Sequence, residues 1–255
     1  MRLKDFLTSQ VLYAFNCDDF VIYRGVAAAV AEVNQPAIIQ ISPGERDFWG
    51  ISRFASLGRK EDDNLFLNFD HGRDLETVKA VIDNGFDMVH FDGSDLDWEE
   101  NVSLTKQTVE LAYPEAILVE GEPEKKDTSP EKVKEFVDRT GVDLVAVFVG
   151  NRHGMDPDKP ERLDFDQLKQ IKDAVGDKYL TLHGGSGVPA EDIRQAIKQG
   201  LIAKININTR LRIVYQLALE NALANYQGKF KVYDLMYPVM EEIKKEVIKI
   251  LTINH

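Results

Sequence analysis

Tyr179-Leu180-Thr181-Leu182-His183-Gly184-Gly185-Ser186-Gly187 runs from an apolar strand directly into a histidine and a glycine-rich turn. Glycines let backbone N–H groups approach an anion, and the Ser186 hydroxyl adds a donor. Pro189 opens the next helical run, whose N-terminus brings a positive dipole end. The stretch therefore sets a phosphate cradle beside a metal-ligand type at the end of a strand. Similar strand ends occur upstream at Asp70-His71-Gly72 and Asn151-Arg152-His153-Gly154.

Outward from this stretch, short apolar runs alternate with amphipathic ones along the whole chain. Strand candidates are Val11–Cys17, Ala37–Ser42, Leu65–Asp70, Asp87–Asp92, Ala116–Glu122, Asp143–Gly150, Tyr179–His183 and Ile202–Asn206. They are continuously apolar rather than alternating, as in a parallel sheet covered on both faces. The helices between them have readable ends. Asp74 precedes Leu75, Val78 and Ile82, with Asn84-Gly85 behind them; Asp164 precedes Leu168, Ile171 and Val175, with Gly176 behind. Ser129-Pro130 and Pro189 mark further starts, and Gly141 and Gly200 follow helix ends.

Eight β/α units in 255 residues predict an α/β fold, a (β/α)8 TIM barrel formed by a single domain over 1–255. No dinucleotide fingerprint follows the first strand to favour an open doubly wound sheet. The second unit, Gly44–Asp63, is charged and irregular. Beyond Thr209 come Leu211–Tyr226 and Val232–Ile250, the latter with Leu235, Val239, Ile243, Val247 and Ile250 at helical spacing. These extra C-terminal helices either clad the barrel or join copies into a homodimer or homotetramer.

A net charge of −12 argues against an extended contact with nucleic acid. No apolar run approaches the roughly 18 residues of a membrane span, and Met1-Arg-Leu-Lys-Asp-Phe-Leu lacks the apolar region of a signal peptide. The expectation is a soluble cytoplasmic protein without a membrane partner. Cys17, the single cysteine, excludes a disulfide framework and a multi-cysteine metal site.

Catalytic groups of a barrel come from the C-terminal ends of its strands. Here those ends are Asn16; Ser42; Asp70-His71; Asp92-Gly93-Ser94; Glu120 and Glu122; Asn151 to Gly154; His183 to Ser186; and Asn206-Ile207-Asn208-Thr209. Three neutral imidazoles, His71, His153 and His183, make an open site for one divalent metal, with Zn2+ favoured. Asp92 and Glu122 serve as alternate ligands or as orienters of the ligands. His90, inside a strand, reads as a packed barrel-interior residue, and His255 has no assigned role. Asp70, beside a ligand, either moves a proton or orients that ligand. The last two strand ends face one another and suit a phosphate.

These motifs, in this order, resemble the class II fructose- and tagatose-bisphosphate aldolases. The resemblance extends from Ala14-Phe-Asn16 through Gln40-Ile-Ser42-Pro-Gly44, Leu67-Asn-Phe-Asp70-His71-Gly72 and Phe91-Asp92-Gly-Ser94 with Glu99-Glu-Asn101. It continues in Val119-Glu120-Gly-Glu122, Gly150-Asn-Arg-His153-Gly154, Leu182-His183-Gly-Gly-Ser186-Gly187 and Lys204-Ile-Asn206-Ile-Asn208-Thr209. It implies zinc on His71, His153 and His183, and Asp70 as acid/base at the substrate C4 hydroxyl. It also implies Asn206 on the dihydroxyacetone phosphate portion, with Gly154, Gly184, Ser186, Asn208 and Thr209 on its phosphate and Asn16 and Ser42 nearby. The reaction implied is reversible aldol cleavage of a ketose 1,6-bisphosphate to dihydroxyacetone phosphate and an aldehyde, with a metal stabilising the enediolate charge.

The chain departs from that family at three places. Asn68 stands where a histidine is usual, and the segment before Leu65 is shorter. Pro123-Glu-Lys-Lys-Asp-Thr128 replaces a glycine-rich mobile loop whose acid exchanges a proton with the ketone-phosphate carbon, leaving Glu124 and Asp127 as the local acids. Two other readings follow: a Schiff-base aldolase using Lys204, and a metal- and phosphate-binding barrel with altered substrate or lost catalysis.

Overall fold

The computed structural model describes residues 2–61, 63–125, 129–151, 161–228 and 231–253. Helix α1 (Leu3–Leu7) precedes β1 (Leu12–Asn16), followed by α2 (Phe20–Val33), β2 (Ala37–Ile41), α3 (Pro43–Trp49), α4 (Ile51–Glu61) and β3 (Leu65–Gly72). The middle of the chain supplies α5 (Leu75–Asp83), β4 (Met88–Phe91), α6 (Trp98–Ala112), β5 (Leu118–Gly121), α7 (Pro130–Thr140) and β6 (Leu144–Val147). It ends with α8 (Phe165–Val175), β7 (Tyr179–Leu182), α9 (Ala190–Lys198), β8 (Lys204–Ile207), α10 (Thr209–Ala224) and α11 (Val232–Leu251). Among the described residues the strands form a closed parallel barrel in chain order, β8 pairing with β1. The irregular second unit holds two helices. The first opens on a capping box between Ser42 and Glu45.

The expected helix signals operate as read. Asp74 and Asp164 accept the N–H groups of Thr77 and Gln167, Ser129 caps α7, and Gly141 ends α7 at φ 78°. α11 packs against α2 so closely that a Cβ at Gly25 would lie 2.6 Å from Ile243 Cγ2. The C-terminal helices thus clad the barrel, while Ile213, Leu217 and Leu223 of α10 and Val232, Tyr233 and Tyr237 of α11 stay exposed. Among the described residues no helix is long and apolar enough to cross a membrane.

Strand side chains alternate between the two faces of the sheet. Outward-facing Phe15, Ile39, Phe69, Phe91, Val119, Leu182 and Ile205 are buried under the helices. Inward-facing Leu12, Ile38, Phe66, Met88, Leu118 and Leu144 form an apolar floor, closed from below by Leu3 and Leu7 of α1. Each such burial contributes about 1.5–3 kcal/mol. Above the floor the inward positions turn polar: Gln40, Asn68, Asp70, His90, Glu120, Thr181, Lys204 and Asn206 are all buried. The barrel is therefore cemented at one end and chemically equipped at the other.

Candidate active site

Asp70 and His71 are sequence neighbours, and strict alternation would send His71 outward. Instead β3 is bulged between Phe69 and Gly72, and His71 adopts a left-handed backbone with φ 57°. That conformation costs a non-glycine residue about 1–2 kcal/mol, and it re-aims the imidazole into the barrel mouth beside Asp70. His71 Nδ1 donates to Asp92 Oδ2 at 2.9 Å, leaving Nε2 facing inward. His183 is turned the other way, with Nε2 donating to Glu120 Oε1 at 2.7 Å and Nδ1 facing Glu122 Oε2 at 3.8 Å.

Behind His183, Glu120 Oε2 accepts from Thr181 Oγ1 at 2.8 Å and from Lys204 Nζ at 3.0 Å. Burial alone would raise Glu120, but the Lys204 ammonium and His183 hold it well below the usual carboxylate range. Lys204 is thus occupied as a fully buried counter-ion. Burial pushes His183 down to about 4, against the pull of Glu120, so the imidazole is neutral and ready to ligate. For His71 burial is outweighed by Asp70, Asp92 and Glu122, which raise it to about 9. A metal would displace that proton.

The donor set that converges is His71, His90, Glu122 and His183, whose ligand atoms lie within 4.8 Å of one another. Burial pushes Glu122 up to about 7, against the pull of His90 and with the help of Asp92. Both Glu122 carboxylate oxygens and His90 Nε2 are buried without a hydrogen-bond partner among the described residues. An unsatisfied carboxylate is costly to bury, and a divalent cation is the partner that suits it. The residues present fit a metal. Asp92 stands behind His71 as its orienter rather than in the cluster. His153 and Gly154, like Asp127, lie outside the described residues.

His90 stands where the sequence reading placed it, inside the barrel, and its neighbours add to that reading. It is an interior residue, fully buried, yet its ring centroid lies 4.7 Å from that of His71 and 4.9 Å from that of His183. The signal was its phase: His90 is two residues before Asp92 and in register with Glu120. Gln40 was missed. Asn68 Nδ2 donates to Gln40 Oε1 at 2.8 Å, and Gln40 Nε2 donates to Asn16 Oδ1 at 2.8 Å and to Asp70 Oδ2 at 3.2 Å. Asn16 and Asn206 donate to the same carboxylate, at 3.4 and 3.2 Å. Burial would raise Asp70, but His71, His90 beside it and the Lys204 ammonium hold it well below the usual range.

One cavity of about 190 Å³ joins this centre to the glycine-rich turn. It is lined by Asn16, Ser42, Asp70, His71, His183, Gly184, Ser186, Asn206, Asn208, Thr209 and Arg212. Gly184 has φ 64°, and a Cβ at Gly185 would lie 2.5 Å from Ile205 Cγ2, so the turn needs its glycines. Ser186 Oγ accepts from the N–H groups of Asn208 and Arg210 at 3.3 and 3.2 Å, which leaves its own hydrogen to donate. A larger recess of about 710 Å³, lined in part by Arg2, Asp87 and Tyr113, shares no residue with this centre.

With that geometry in hand, comparison with known proteins is decisive. Residues 8–254 match the family described as fructose-bisphosphate aldolase class-II. The chain belongs to the class II fructose-bisphosphate aldolase family. This class II aldolase is a carbon–carbon lyase of carbohydrate metabolism. It is 33% identical over 254 residues to the fructose-bisphosphate aldolase of Geobacillus stearothermophilus, covering 92% of this chain and 88% of that one. In structure it resembles the YdjI aldolase from Escherichia coli K12, with TM-score 0.87, 29% identity, and 99% and 96% of the two chains covered. A putative fructose-1,6-bisphosphate aldolase from Coccidioides immitis gives TM-score 0.86 at 25% identity, covering 99% of this chain and 95% of the other.

Proposed function

We propose that this aldolase reversibly cleaves a ketose 1,6-bisphosphate of the fructose or tagatose type to dihydroxyacetone phosphate and an aldehyde. His71, His153 and His183 would hold one divalent cation, zinc by donor type, with Glu122 as the alternate ligand. The observation that carries this reading is the convergence of two neutral-capable imidazoles with the unsatisfied Glu122 carboxylate, both imidazoles lying on the wall of the cavity that also holds Asp70 and Ser186. When bound, the metal supplies Lewis-acid polarisation of the substrate carbonyl and stabilises the charge left by cleavage. Asp70, ionised and aimed by three amides, takes the C4 hydroxyl proton as the carbon–carbon bond breaks and returns it in condensation. Asn206 orients the three-carbon portion, and the Ser186 and Asn208–Thr209 turns hold its phosphate.

The test is cleavage assayed over ketose 1,6-bisphosphates and 1-phosphates. Activity should vanish with chelator and return with Zn2+. Borohydride with substrate should leave no adduct on Lys204, because that amine is committed to Glu120; a trapped adduct would sink the metal reading. The reading with altered substrate or lost catalysis draws on Glu124, whose carboxylate pairs with Lys132 at 2.5 Å on the surface. Metal and phosphate binding without cleavage of any ketose phosphate would favour it.

The phosphate assignment gives a sharper contrast. Ser186→Ala and Thr209→Val should each weaken dihydroxyacetone phosphate by about 1–3 kcal/mol, the scale of one charged hydrogen bond, and leave unphosphorylated dihydroxyacetone almost unaffected. Titration calorimetry of the zinc-loaded variants checks this, and equal losses for both ligands would remove the turn from the site. The exposed apolar residues of α10 and α11 support a homo-oligomer. Light scattering should then give a mass of two or four chains, and a monomer at micromolar concentration would defeat it.

A further inference from the structure

We propose that His90 is a positioning residue that holds two parts of the metal site at once, His71 and Glu122, and is not itself a metal ligand. The inference rests on the metal reading above. The left-handed turn at His71 leaves its backbone N–H donating to His90 Nδ1 at 3.1 Å. A backbone N–H is always a donor, so Nδ1 must present its lone pair, and neutral His90 carries its proton on Nε2. Asp70 Oδ1, 3.4 Å from Nδ1, would favour the opposite tautomer. That tautomer would set two N–H groups against each other at 3.1 Å, so the accepting role wins.

Nε2–H is therefore a donor and has no lone pair for a metal. It is buried without a partner among the described residues, and the nearest carboxylate atom is Glu122 Oε2 at 3.6 Å. Both side chains are fully buried, and neither Glu122 oxygen accepts a hydrogen bond from a described residue. At 3.6 Å a small turn of the carboxylate would bring one oxygen within hydrogen-bond reach of Nε2–H and leave the other to the cluster of His71 and His183. Ligating carboxylates are commonly held by such an outer hydrogen bond. One imidazole thus steadies the strained backbone of one ligand and the rotamer of another.

The experiment uses the full-length protein with 15N-labelled histidine, loaded with 113Cd2+. Nitrogen–cadmium splitting is expected for one ring nitrogen of His71 and one of His183. His90 should show none, and its Nε2 should appear as a protonated nitrogen. Splitting at His90 would overturn the proposal. Absence of splitting at His71 and His183 would instead defeat the metal reading on which it stands. In chelator competition, His90→Phe should keep one metal per chain and weaken its binding by about 10–100-fold, the usual effect of losing an outer partner. His90→Gln, which keeps a donor and an acceptor, should recover much of the loss. Unchanged affinity in His90→Phe would reduce His90 to packing. Should His90→Phe not fold, the tautomer in the wild-type spectra and the affinity of His90→Gln decide.

Discussion

Asp70→Ala is expected to slow aldol cleavage by about 10²–10⁴-fold, the usual scale for a positioned acid/base, with metal content and dihydroxyacetone phosphate binding retained. The separation follows from where the carboxylate points. Its Oδ2 lies 3.8 Å from His71 Nε2, and Asp70 is not part of the converging donor set. It is held instead by Asn16, Gln40 and Asn206, at the wall of the cavity proposed for the substrate. Removing it leaves those amides to water and spares Asp92, which fixes the His71 ring. Single-turnover cleavage and metal analysis of the purified variant check the expectation. If the variant loses its metal and regains substantial activity on reconstitution, Asp70 is an orienter and not the proton carrier.

The barrel was legible because each signal behind it is local. Continuous apolar runs at regular spacing, Asp and Ser caps and glycine stops all act within a few residues, and all eight strands appear where the runs predicted them. The second unit was not legible, since the apolar stripe of α4 is short, Ile51, Phe54 and Ala55 within a charged segment, and its burial depends on Phe54 reaching the outer core.

In the site, residues at strand ends could be read from their position, whereas those one layer below could not. Gln40 and His90 sit within their strands and Lys204 opens β8, where a polar side chain looks like an interruption of the apolar pattern. Only the closed barrel, which brings Glu120 of β5 to Lys204 of β8, shows why each is tolerated. His90 was in phase with Asp92 in the sequence, but its meaning depends on the β3 bulge that delivers the His71 N–H to it. A bulge of this kind has no sequence mark when the left-handed residue is a histidine rather than a glycine.

The largest effect is expected for His183→Ala, which should reduce metal content from about one per chain to near none and abolish cleavage. Its imidazole is fixed on both sides: Nε2 is bound to Glu120, itself anchored by Lys204 and Thr181, and Nδ1 faces the cluster. On the proposed metal reading that support aims one lone pair, so loss of the ring should exceed the ~10–100-fold expected for an outer partner. The fold should survive. Glu120 Oε2 keeps its ammonium and hydroxyl donors, and only Oε1 is orphaned, at a cost of about 1–3 kcal/mol. Metal analysis after gel filtration, together with a thermal melt, separates ligand loss from unfolding. The same measurement on His71→Ala and His153→Ala completes the test. Were all three variants to keep a full complement of metal at wild-type affinity, the cation would have to lie elsewhere, and the His71, Glu122 and His183 cluster would lose its function.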